Sequence, residues 1–221
     1  MENPWNWPSP SITHVWGPRQ FTVIRPRRPL TRAVLIDRDR HLDVLLDQNA
    51  ARCVGGLWEL AASSPRSLVH LPLRGNATPP LDPTEDAPRQ LDLVLLHHSL
   101  QFAPSRWKEM RARLGAGRPR TVTVPATGRP VGSVIGVDER HYRENRDLID
   151  EQVHAETLFL TGSAKVFRET SGRFFDIALH GFAHVRAHPR NPHYCTEFHS
   201  TEGVLGNARE IHVQYCEQWR S

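Results

Sequence analysis

The apolar residues of this chain come in short bursts that polar residues or prolines close off after a few positions. Thr22-Val-Ile24, Ala33-Val-Leu-Ile-Asp37 and His41-Leu-Asp-Val-Leu-Leu-Asp47 are the first three. Bursts of that length, rich in Val, Ile and Leu and bounded by breakers, are strand-sized. The polar residues 38–40 between the last two predict a hairpin. No stretch of about 18 residues is free of charged or polar side chains, so no membrane-spanning helix is expected. Neither glycine nor apolar residues recur at the period of a collagen or a coiled coil.

Further along, Gly56-Leu-Trp-Glu-Leu-Ala61 reads as a fourth strand, and Leu91-Asp-Leu-Val-Leu-Leu-His-His-Ser99 as a buried one. Pro104 opens a helix over Ser105–Leu114 that ends at Gly115 and Gly117, and Thr121-Val-Thr-Val124 follows as a strand. Strand, helix and strand in that order predict a βαβ unit in the middle of the chain. Residues 138–158 carry a helical pattern, with Tyr142, Ile149, Val153 and Glu156 on one side and Asp147, Asp150, Glu151 and His154 on the other. Ala164–Glu169 and Arg173–Ala187 flank Thr170-Ser-Gly-Arg173, which predicts a late β-hairpin. Alternation along its second strand puts His180 and His184 on one face.

The whole reads as an α+β (mixed α/β) single domain over residues 19–221, largely β-sheet. A Pro/Trp-rich arm at residues 1–18 lies across its surface, and a Pro-rich connection occupies 63–90. The 221 residues suffice for a real core, and there is no internal sequence repeat.

The formal charge is +4, from 28 Lys+Arg against 24 Asp+Glu, and all but Lys108 and Lys165 of the cations are arginine. They are scattered among acidic residues, which argues against a nucleic-acid partner. With many Pro, Ala and Gly, the arginine bias predicts a GC-rich bacterial source of actinomycete type. The three cysteines, Cys53, Cys195 and Cys216, are too few for a disulfide scaffold, and the first ten residues lack the basic start and apolar core of a signal peptide. A cytoplasmic location is the resulting expectation.

Histidine carries the functional signal. There are 13, and the densest run is His180-Gly-Phe-Ala-His184-Val-Arg-Ala-His188-Pro-Arg-Asn-Pro-His193-Tyr-Cys195-Thr-Glu-Phe-His199. Imidazole is both the acid–base group of neutral pH and the commonest metal ligand. His184, Cys195 and His199 are the candidate ligands, with zinc the metal such a set would take; no cofactor-binding motif accompanies them. Val153-His154-Ala155-Glu156 resembles the His-Ala-Glu motif of the zinc-dependent cytidine-deaminase superfamily, where the His binds zinc and the Glu shuttles protons. That resemblance would need a second cysteine near Cys195, and the chain has none there. Arg52-Cys-Val-Gly-Gly-Leu-Trp-Glu-Leu60 resembles the segment before the catalytic box of Nudix hydrolases. Residues 61–75 contain no carboxylate, so that family's magnesium-dependent activity is not expected.

Together these features favour a small-molecule enzyme of a bacterial biosynthetic pathway using His/carboxylate acid–base catalysis. The reaction would be a dehydration, isomerisation or cyclisation (lyase or isomerase class), or a metal-assisted hydrolysis, on a small-molecule or carrier-bound substrate. His154, Glu156, His180 and His184 are the candidate catalytic residues. The alternatives are a non-catalytic partner of a biosynthetic complex, docking through the N-terminal arm, and a divergent zinc-dependent deaminase.

Overall fold

Two hairpins, each running straight into a helix, organise the chain. In the computed structural model, which describes residues 8–16, 21–80, 89–115, 117–123 and 147–219, twelve strands are present. They are β1 (Pro8–Trp16), β2 (Phe21–Pro26), β3 (Ala33–Asp37), β4 (His41–Leu46), β5 (Ser67–Leu71), β6 (Arg89–Gln90), β7 (Asp92–His97), β8 (Arg118–Thr123), β9 (Asp150–His154), β10 (Thr157–Gly162), β11 (Cys195–Phe198) and β12 (Glu210–Tyr215). The α-helices are α1 (Gln48–Ser63), α2 (Trp107–Ala112) and α3 (Ala164–Ala187). The first sheet runs β8-β1-β2-β5-β7-β10-β9 and the second β11-β12-β4-β3-β6. The fold is an α+β single domain.

The β3–β4 hairpin pairs Ala33 with Leu46 through Asp37 with Leu42. Leu46 ends the strand, and Asp47 caps α1 by accepting from the Ala50 amide at 2.7 Å. The β9–β10 hairpin repeats this joint: Gly162 ends the strand, and the Ser163 hydroxyl caps α3 by accepting from the Val166 amide at 3.2 Å. Each helix leads to an antiparallel pair, β5–β7 or β11–β12. β7 lies parallel to β10, from Asp92 opposite Thr157 to His97 opposite Gly162. β12 lies parallel to β4, from Glu210 opposite His41 to Tyr215 opposite Leu46. One ββαββ unit is therefore built twice, and each delivers its second pair of strands to the other's hairpin.

The inner faces of both sheets converge on α1 and α3 in one core. Leu93, Leu95, Leu158 and Leu160 come from the first sheet, and Leu35, Leu42, Leu46, Ile211 and Val213 from the second. Trp58 sits at the centre, its ring against Phe167, Phe174 and Phe198 and its Nε1 donating to Thr170 Oγ1 at 2.9 Å. Gly181 allows α3 to approach β12, since a Cβ there would lie 2.6 Å from the Tyr215 ring. The outer face of the first sheet is covered by α2, whose Trp107 and Met110 pack on Leu68, Val94, Leu96 and Phe159. On the second sheet Val34, Ile36 and Leu45 form a smaller apolar cluster against which Cys216 and Trp219 pack.

Several sequence expectations are corrected. The segment 164–187 is one helix, and the late hairpin is the following β11–β12 pair. Val166, Phe167, Thr170, Phe174, Ile177, Ala178 and Gly181 are buried at helical spacing, and Thr170-Ser-Gly is helix interior, with the Thr170 hydroxyl bonded back to Val166 O. Gly56–Ala61 belongs to α1, buried almost all round, so its apolar run carried no period. Within 138–158, residues 150–154 form β9 and the turn follows at 155–156; residues 138–146 lie outside those described. The run β7, α2, β8 exists, but β8 pairs with β1 near the opposite edge, so the parallel neighbour of β7 is β10. The N-terminal arm supplies β1, paired between β2 and β8, and the connection 63–90 contains β5 and β6.

Arg209 ties the two sheets together. It donates to Asp37 of β3 at 2.5 Å, and through Nε and its own amide to Glu151 of β9, both at 2.9 Å. Both carboxylates are almost fully buried, while Arg209 keeps 24% of its side chain exposed. Arg209→Ala strands the buried Glu151 and leaves Asp37 to Arg89 and the Asp39 amide, and is expected to cost about 2–3 kcal/mol, measurable by urea denaturation; the wet guanidinium keeps this below the most buried cases. Burial alone would raise the Asp37 carboxyl, but the Arg209 bonds, the Asp39 amide and Arg89 hold it below its ordinary value of 3.8. Its contribution to stability is thus complete above 3.8 and lost as pH falls through the lower folded value. Wild type should lose stability in that acid range, and Asp37→Asn should lose less of it.

Candidate functional site

β5 reads Ser67-Leu-Val-His-Leu71, and alternation sends Val69 and Leu71 into the common core, leaving Leu68 and His70 on the outer face. Asp92 opens β7 on the same face. The loop from Leu73 to Asn76 returns past both, anchored where Asn76 Nδ2 donates to Leu30 O and Ala33 O at 2.6 Å. α2 closes the far side. Together they enclose an open cavity of about 640 Å³ lined by His70, Arg74, Asn76, Asp92, Lys108 and Arg111 among others.

Asp92 is buried and well partnered. Oδ1 accepts from the Leu73 and Arg74 amides at 3.0 and 3.1 Å, and Oδ2 accepts from Arg111 Nη1 at 3.2 Å. His70 is different: 4% of its side chain is exposed, yet neither ring nitrogen has a hydrogen-bond partner. Its Nε2 lies 3.8 Å from Asp92 Oδ2, too far for a hydrogen bond, and the ring stands edge-on to Trp107 at 4.9 Å. Burial pushes the His70 ring below its ordinary pKa against the upward pull of Asp92, so the ring is neutral at pH 7. Burial would raise the Asp92 carboxyl, but His70, the Arg74 amide and the Arg74 charge hold it low and ionised. A neutral imidazole beside an ionised carboxylate is a proton acceptor with a group placed to steady the cation it becomes.

Three cations border the cavity. Arg111 also reaches Ala155 O and Thr157 Oγ1 at 3.3 Å, Arg74 pairs with Glu156, and Lys108 is exposed on α2. The turn that the two arginines clamp is strained: Ala155 and Glu156 have φ of 48° and 59°, left-handed values that suit glycine or asparagine. Backbone strain of this kind clusters where a rigid geometry serves a ligand.

Of the candidate residues from sequence, Glu156 stands at the rim of this cavity through Arg74, and half-buried His154 ends β9 opposite Thr157. His180 and His184 lie elsewhere, on one face of α3. His180 Nδ1 pairs with Asp176 at 2.9 Å, Tyr194 donates to the same carboxylate at 2.7 Å, and His184 packs between Tyr194 and His188. The four candidate catalytic residues therefore fall into two separate clusters. His199 caps a short turn, accepting from the Thr201 amide at 3.3 Å and pairing with Glu210. Among the described residues, Cys195 has His193 and His212 as its ligand-capable neighbours instead of His184, His199 or His154, so the deaminase-like set does not assemble.

Sequence reasoning passed over His70, Asp92, Arg74, Lys108 and Arg111. For His70 and Asp92 the signal was present: one titratable residue inside each of two apolar runs, Ser67–Leu71 and Leu91–Leu96. No protein-family model matches the chain, and neither does any curated protein or solved structure.

Proposed function

We propose that this protein is a small-molecule enzyme that performs acid–base chemistry on an anionic substrate in the cavity between β5, β7 and α2. His70 is the proton-transferring group, Asp92 the carboxylate that stabilises its protonated form, and Lys108 and Arg111 draw in the substrate's carboxylate or phosphate. Removal of a proton from a carbon acidified by an adjacent carbonyl, followed by dehydration, isomerisation or cyclisation, is the chemistry such a pair supports. The observation that carries the reading is His70. A histidine with both nitrogens buried and unpartnered costs stability, and at a cavity wall a substrate can supply the missing partner.

The test is a ligand screen by thermal shift, using inorganic phosphate, short hydroxy- and keto-acids and acyl thioesters of coenzyme A, each organic acid paired with a neutral amide or ester. Anionic members should raise the melting temperature and their neutral counterparts should not. Lys108→Glu, on the exposed face of α2, should weaken the best ligand about tenfold, a change of about 1.4 kcal/mol. Equal effects from neutral analogues, or indifference to Lys108→Glu, would overturn the assignment.

A further inference from the structure

The twofold construction places equivalent positions of the two sheets in register, and their outer faces carry different residue types at those positions. On the first sheet Leu68, Val94 and Phe159 are apolar and packed under α2. By the pairings of β5–β7–β10 and β11–β12–β4, the matching residues of the second sheet are Cys195, His212 and Asp43. No α-helix lies over that face among the described residues. An apolar patch in one half is thus a thiol, an imidazole and a carboxylate in the other.

His193, one residue before Tyr194 in the approach to β11, completes the group. Ligand atoms of His193, Cys195 and His212 all lie within 4.8 Å of one another. The His193 and His212 rings stack at 5.5 Å. His212 Nδ1 faces Asp43 Oδ1 at 3.3 Å, which leaves Nε2 as the nitrogen free to bind. Asp43 is held in turn by Arg38 Nε at 2.9 Å. A carboxylate on the far nitrogen of a histidine is the arrangement that orients metal-ligating imidazoles. Glu197, whose Oε1 lies 3.9 Å from His212 Nε2, stands beside the remaining position.

We infer that His193, Cys195 and His212 form a binding site for a divalent transition metal of the zinc class, with Asp43 orienting His212. One thiolate and two imidazoles suit a borderline-soft ion, and small side-chain rotations would bring the three donors to bonds of roughly 2.0–2.3 Å. Three protein ligands leave a fourth place for Glu197 or water. This site is separate from the His70 cavity and stands or falls independently of it.

The test uses the full chain, stripped with chelator and titrated with zinc against a competing chromophoric chelator, and with cobalt(II) followed by absorption. One zinc should bind per chain, and cobalt should give a near-ultraviolet thiolate charge-transfer band. Cys195→Ser should abolish that band, and Asp43→Asn should weaken zinc about 10–100-fold. The control His184→Ala/His188→Ala should leave both unchanged. A cobalt complex of wild type without thiolate absorption would overturn the site, and this reading does not depend on any variant folding. So would zinc affinity that is indifferent to Cys195→Ser, or lost in the control.

Discussion

Trp58→Ala is expected to lower stability by about 3–5 kcal/mol, a shift on the order of 10 °C in melting temperature for a chain of this size. The side chain is 1% exposed and touches three aromatic rings, two from α3 and one from β11. Its removal opens a cavity where the two units join, and α1 and α3 cannot collapse into it without dragging the sheets they carry. Thr170 adds a second cost: its hydroxyl accepts from the indole and donates to Val166 O at 2.6 Å, so the alanine variant leaves a buried lone pair unused. Trp58→Phe keeps most of the ring contacts and loses the hydrogen bond, and should cost only about 1–2 kcal/mol. Guanidinium denaturation of the three proteins checks the order. Near-equal losses would mean that the ring packing contributes little.

The opposite sign is expected at His70. His70→Phe fills the same space against Trp107 and removes two buried, unsatisfied nitrogens, so it should raise stability by about 1–2 kcal/mol. Asp92 keeps its two amides and Arg111, so no carboxylate is stranded. Turnover of the substrate class found by screening should fall about 10²–10⁴-fold, the range of a lost acid–base group. pH supplies a further check. The buried ring is depressed below its ordinary pKa of 6.5, so its cost to the folded state is smallest above that value and grows as pH falls through the lower folded value. The gain from His70→Phe should therefore widen in mild acid. A variant that is less stable at every pH would show that His70 is a satisfied core residue.

Much of the β framework was legible because β3, β4 and β7 are apolar runs between breakers, and because residues 38–40 announce a hairpin. The two long helices were not. α1 is buried almost all round and so shows no amphipathic period, and α3 carries Gly172 and Gly181, residues that usually mark turns, although at Gly181 it is the close approach of the Tyr215 ring that requires glycine. The duplicated unit was invisible for a plainer reason. It resides in pairing and register, and its halves share shape without sharing residue types, as Leu68 against Cys195 and Val94 against His212 illustrate. The histidine-rich segment drew attention to Cys195, but sequence proximity favoured His184 and His199 over His212, which β12 brings alongside across the sheet. His70 escaped notice because 63–90 reads as a proline-rich connection, and a strand of five residues is hidden there.

The central claim is that an anion bound in the β5–β7–α2 cavity meets His70. Long-range proton–nitrogen spectra of the histidine rings, with His70 assigned by its loss in His70→Phe, measure this directly with and without the best ligand of the screen. The account predicts that His70 is a neutral ring at pH 7 in the free protein, and that its nitrogen shifts move on binding while those of His180 and His184 on α3 stay in place. A His70 resonance unmoved at saturating ligand, with the α3 histidines shifting instead, would contradict it.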